Sequence, residues 1–413
     1  MEQKELIPHL FRTEYRKITA VLCKLLGIEH IDIAEDIAGE TFLTAMETWS
    51  YKGIPENAVA WLYTVAKNKA RNHIHRNNIF IKKITPQIKG ATDVVETEID
   101  LSEKNITDSQ LQMLFAVCHP AITAEAQIGL ALRVLCGFGI DEIANALLSN
   151  KETISKRLQR AKEKLRSENV TIEFPGNDAI NSRLDNVLTT LYLLFNEGYY
   201  SESHDVVLRE ELCLEAMRLN YLLLENETTN LSRVNALLAL MCFHASRFAA
   251  RKNEHGAVIL YHNQDESLWD QSLIAKGAYF LKQASQGETI SKYHLEAGIA
   301  YWFTVKADSK QKWENTLQLY NRLLQIEYSP VAALNRTYAV AKVHGAAAAI
   351  TEAEKLNLSS NHYYFTLLGE LYKDINRNKA LSNFEKAIAL AKTATDKETI
   401  EEKIQQLTRD NRR

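Results

Sequence analysis

The chain has 413 residues, only 15 Gly and 6 Pro, and a formal charge of −3. Long runs of Ala, Leu, Glu and Lys without breakers exclude a β-rich fold and predict an all-α protein of two or three domains. The five cysteines, Cys23, Cys118, Cys136, Cys213 and Cys242, include no C-x-x-C pair, which argues against a disulfide framework and for buried, reduced thiols. With no signal peptide and no apolar run long enough to span a bilayer, the reading is a soluble cytoplasmic protein.

Three helices are expected first. Leu6 to Leu26 carries Leu10, Phe11, Ile18, Val21, Leu22 and Leu25 near helical spacing, Ile33 to Trp49 follows, and Asn57 to Asn77 comes after the Gly53-Ile54-Pro55 break. The third starts apolar at Trp61, Leu62 and Val65 and turns basic. No acid interrupts Lys67, Lys69, Arg71, Arg76, Lys82, Lys83 and Lys89. Such a gradient can grip a nucleic-acid backbone and leave rings free to stack, although Trp49 and Trp61 suit a core equally well. Asp93 to Asp108 is acidic, with Lys104 its single base, and reads as part of a flexible linker over residues 81–108.

Gln110 to Pro120 predicts a helix stopped by the proline. Cys118-His119 has no second pair at ligand spacing, so no metal or other cofactor is expected. Ala126 to Arg166 then reads as a helix, a scaffold helix, a tight turn and a basic helix. Ile154, Leu158, Ala161 and Leu165 form one apolar stripe; Thr153, Lys156, Arg157, Arg160 and Lys164 fall opposite it. Ser149 and Glu152 have the spacing of a capping box. A helix anchored on one face and cationic on the other suits the major groove, while a solvated helix on a bundle fits this stretch alone as well.

The order of these parts carries a resemblance. Ala34-Glu35-Asp36-Ile37-Ala38-Gly39-Glu40-Thr41-Phe42-Leu43 and Trp61-Leu62-Tyr63-Thr64-Val65-Ala66-Lys67-Asn68 resemble region 2 of bacterial extracytoplasmic-function (ECF) sigma factors of the sigma-70 family. Ala126 to Arg166 resembles their region 4. The resemblance implies a domain at 1–80 for core RNA polymerase and the −10 element, and a helix-turn-helix domain at 109–170 for the −35 element. Residue by residue, it implies that Asp36, Glu40 and Phe42 meet the polymerase clamp helices, and that Lys67, Asn68, Arg71, Asn72 and Arg76 face the −10 element. Arg133 resembles a phosphate contact, and Thr153, Ser155, Lys156, Arg157 and Arg160 would face the −35 element. Neutralising about five phosphates gives a log affinity–log salt slope near −4 to −5.

The break at Phe174-Pro175-Gly176-Asn177-Asp178 opens a helical extension, residues 180–413. Leu334, Asn335, Tyr338, Ala346, Ile350 and Ala353 recur 34 residues later as Leu368, Gly369, Tyr372, Ala380, Phe384 and Ala387, a tetratricopeptide (TPR)-like pattern. A looser copy starts at Trp313, and Lys397 to Leu407 reads as a polar cap. Phe195-Asn196-Glu197-Gly198-Tyr199 and His262-Asn263-Gln264-Asp265 form no catalytic constellation and read as capping or docking segments, with Gly198 ending a helix. Both resemble the extension of one ECF sigma group with TPR-like repeats. The leading reading is a non-enzymatic sigma factor whose partners are core RNA polymerase and promoter DNA. The fused extension would be its regulator, open to a protein or small-molecule signal. A polymerase-independent helix-turn-helix regulator and a pure scaffold remain the alternatives.

Overall fold

A computed structural model describes residues 3–84, 99–147, 149–199, 209–251, 259, 261–391 and 394–409. They form eighteen α-helices, with no strand among the described residues. None of these helices is long and apolar enough to cross a membrane. The chain divides into two compact units, Met1–Leu194 and Phe195–Arg413.

The first unit begins with α1 (Gln3–Leu26), α2 (Ile31–Lys52) and α3 (Ala58–Ile84). Ile31, Ala34, Ala38, Phe42, Ala45 and Trp49 repeat at helical spacing along α2, and all are buried, so this stripe seats α2 on its neighbours. On α3 the buried line is Leu62, Ala66 and Ala70. Trp49 is 2% exposed and meets Trp61 edge-on at 5.3 Å, so the ring pair belongs to the α2–α3 seam.

α4 (Glu103–Val117) and α5 (Ala124–Leu130) follow, and α5 widens into a π-helical turn at Ala131–Leu135. Next come α6 (Ile140–Ala146), α7 (Lys151–Ser167) and α8 (Asn177–Tyr199). The linker expected at 81–108 has helix at both ends, α3 running to Ile84 and α4 starting at Glu103. Its centre, residues 85–98, lies outside the described residues. The blocks on either side share one core, because α1 packs against α2, α3, α4 and the π-helical turn. Its Ile18, Leu22 and Cys23 are sealed from solvent. The segment after residue 170 joins too: Arg183 donates to the Phe115 carbonyl and Thr190 to Gln127. By packing, the boundary between the compact units therefore falls within α8.

In the second unit α9 (Glu210–Leu224), α10 (Ser232–Ala245), α11 (Gln271–Ala284) and α12 (Lys292–Trp302) gather round α10, which is buried from Val234 to Phe243. α13 (Lys310–Ile326), α14 (Pro330–His344), α15 (Ala346–Leu356), α16 (His362–Tyr372), α17 (Arg377–Leu390) and α18 (Ala394–Arg409) then stack, each helix on the next in sequence. Gly345, at φ 86°, is the whole connection between α14 and α15, a backbone state that favours glycine. Gly198 lies in the last turn of α8, next to its end at Tyr199. A Cβ there would come within 2.7 Å of Cys213 Sγ and 2.8 Å of the Arg209 carbonyl, so it permits close approach. Asp265 is spent locally, accepting from Ser267 N at 2.9 Å.

Candidate nucleic-acid interface

Along α3, burial of Leu62, Ala66 and Ala70 turns Asn68, Arg71, Asn72 and Arg76 outward, and all four are exposed; Lys67 is half-buried. The i, i+3, i+4 and i+8 spacing puts the four on one side, a cationic strip with two amides able to bond base edges. Lys69, beside the strip, reaches across to Glu40 of α2 at 3.1 Å.

α6 and α7 are joined by a short turn. Glu142 accepts from Gly139 N at 2.7 Å and secures the start of α6 without a hydroxyl. The start of α7 corrects the expected capping box. Asn150, not Ser149, is the N-cap, its side chain accepting from Thr153 N at 2.7 Å. Ser149 still belongs to the end of α6, its amide donating to the Ala144 carbonyl. Ile154, Leu158, Ala161 and Leu165 are all buried, so the stripe that sequence identifies is the one that anchors α7. Thr153, Ser155, Lys156 and Arg160 are exposed and Arg157 is half-buried.

The polymerase-facing residues inferred from resemblance divide. Asp36 and Glu40 are exposed on α2. Phe42 is 3% exposed, within 5.1 Å of the Phe11 ring and 6.4 Å of the Tyr15 ring. It is a core residue in this arrangement, because it continues the buried stripe of α2. Arg133 also needs correction as a free phosphate contact. Its Nε lies 2.7 Å from Glu35 Oε1, a charge pairing without hydrogen-bond alignment, and its Nη1 donates to the Phe138 carbonyl.

Glu35 stands at the centre of contacts that sequence reasoning missed. It is 7% exposed, and Lys162 of α7 approaches its Oε2 at 3.2 Å while reaching Asp32 Oδ1 at 2.6 Å. Burial alone would lower the pKa of the Lys162 ammonium, but Glu35 and Asp32 hold it above its ordinary value. Arg166 donates to the Glu29 carbonyl. Burial, then the Glu35 carboxylate, push the Tyr15 phenol up to about 12. Between α2 and α7 runs a groove of about 880 Å³, with Asp36, Glu40 and Leu43 on one wall and Ser155, Gln159 and Lys162 on the other. Among the described residues, no group of acidic, His and Cys side chains is placed to hold a metal.

Comparisons with known proteins match two separate stretches of the chain. Residues 10–79 match the Sigma-70 region 2 family, a non-enzymatic family. Residues 183–285 match a family of unknown function, DUF6596. An ECF RNA polymerase sigma factor, BldN of Streptomyces coelicolor (strain ATCC BAA-471 / A3(2) / M145), is 27% identical over 131 residues, 31% of this chain and 47% of that protein. No solved structure matches the chain significantly. The uncharacterized protein R00370 of Rhizobium meliloti (strain 1021) is 32% identical over 377 residues, 89% of this chain and 88% of that one. By that extent of similarity, the chain belongs to the family of R00370, whose member described here carries a sigma-70 region 2 ahead of a DUF6596 domain.

Proposed function

We propose that this chain is an ECF-type sigma factor: it binds core RNA polymerase, reads promoter DNA at two elements and opens it. The observation that carries this reading is the region 2 match over residues 10–79, which contains both the acidic exposed side of α2 and the cationic strip of α3. Asp36 and Glu40 dock on polymerase. Lys67, Arg71 and Arg76 hold −10 phosphates while Asn68 and Asn72 read base edges. The α6–turn–α7 segment acts as a region 4 helix-turn-helix, with Thr153, Ser155, Lys156, Arg157 and Arg160 at the −35 element. Arg133 reaches a phosphate only once Glu35 releases it. The phosphodiester chemistry belongs to the polymerase, so the protein works in the cytoplasm without a cofactor of its own.

The second unit acts as a regulator fused in cis, with TPR-like repeats toward its end. In support, Gly369 makes room for Phe384, whose ring a Cβ would meet at 2.5 Å. Ala353 and Ala387, which are 34 residues apart, are both fully buried. In vitro transcription with the full-length protein, core polymerase and a promoter library tests the reading. Start sites that require the protein and share spaced −35 and −10 motifs are expected. DNA binding without core association would leave a polymerase-independent regulator in its place.

A further inference from the structure

We infer that the ion pairs joining α7 to α2 form a latch that closes the polymerase-binding side of α2, and that the latch must open before core polymerase binds. This rests on the assignment of Asp36 and Glu40 as polymerase contacts, and adds the means by which that surface is controlled.

The acids of α2 make the case. Asp32, Glu35, Asp36 and Glu40 follow at i, i+3, i+4 and i+8, one side of a helix. Latch and docking residues are thus neighbours on a single stripe. Asp32 and Glu35 are taken by Lys162 and Arg133, while Asp36 and Glu40 line the groove whose opposite wall is α7. α7 thus stands directly across the groove from the two docking acids, and a partner seated on them meets α7.

The DNA-facing side is engaged only in part: Ser155 lines the groove and Arg133 is held on Glu35, while Lys156 and Arg160 stay exposed. Opening therefore frees the docking acids and the held cations together. Lys162, Arg133 and Arg166 become available to DNA phosphates, and Asp32 and Glu35 to water or polymerase. Because Glu35 is 7% exposed, its charge is tolerable only while its cations stay close. The latch is accordingly sensitive to any single partner, as a switch must be.

The test needs one measurement that ignores polymerase and one that depends on it. Spin labels at E47C on α2 and K164C on α7 report the distance between the helices in the full chain. The five native cysteines are buried and leave the labels selective. Lys162→Glu should lengthen that distance and raise core-polymerase affinity roughly tenfold, since apparent affinity scales with the open fraction. Asp32→Asn, at a side chain 68% exposed that folding tolerates, should do both by roughly two- to threefold in affinity. Lys162→Arg should change neither. An unchanged distance in both opening variants overturns the latch, and a longer distance with unchanged or weaker core affinity overturns its masking role. If the distance lengthens but no form binds core, wild type included, the polymerase assignment itself fails.

Discussion

α3 and α7 are both cationic helices with one buried apolar stripe, yet the structure uses them differently. On α3 the cations face outward as a strip, with Arg71 and Arg76 exposed. On α7 the cations split. Lys156 and Arg160 stay exposed while Lys162, on the flank of the stripe, is 14% exposed and held by two carboxylates of α2. Composition makes the two helices alike, but what distinguishes them is which acids from elsewhere in the chain arrive beside each one. A charged side chain beside a partner's acid does structural work first and becomes available for binding only when that partner leaves.

Substitutions can break or sharpen this contrast. The largest effect is expected on the open flank of α7. Replacing Arg157 and Arg160 by Ala should lower initiation at promoters with a −35 element roughly 30-fold, at about 1 kcal/mol per contact. Transcription assays on promoters with and without that element read the difference, and equal loss on both would place these arginines elsewhere. Next comes the held flank. Lys162→Met should destabilise the first unit by about 2 kcal/mol because it strips Glu35 of a cation, whereas Lys156→Met should stay within about 0.5 kcal/mol. Denaturant titration of both variants decides it, and similar values would erase the distinction between flanks.

On α3, Arg71→Ala should weaken promoter binding about fourfold and reduce the salt slope by about one, without moving the denaturation midpoint. The smallest effect concerns a third setting for charge. His244 is half-buried, and desolvation, then Arg247 and Arg251, hold its pKa well below 6.5. The folded state therefore keeps it neutral while the unfolded chain takes up a proton below about pH 6.5. Stability is present above that value and falls as the pH drops, by about 0.7 kcal/mol between pH 7 and 6. His119 and His294, also lowered by burial, add to that fall, so His244→Gln should shrink it rather than remove it, and a fall left unchanged would assign it to those two.

Much of the fold was legible in the sequence because it depends on local periodicity. The α7 stripe from Ile154 to Leu165 was readable from spacing alone. Phe42 was equally readable, as the fourth member of a stripe through Ala34 and Ala38. That spacing outweighs the outward role that the resemblance implies. Ser149 and Asn150 are both good caps, and the choice between them turned on one backbone bond closing α6, which sequence does not reveal. The α2–α7 contact was illegible for a different reason. Asp32 and Lys162 are 130 residues apart, and neither helix carries a mark of the other's orientation.

The cysteines have one last consequence. Burial pushes the thiols of Cys118, Cys213 and Cys242 up to about 12, and raises Cys23 as well, with Glu35 adding to the effect there. A thiol that does not ionise reacts poorly with peroxide or disulfides. At these four positions the folded protein offers oxidants little thiolate, which makes them poor sensors of oxidative stress.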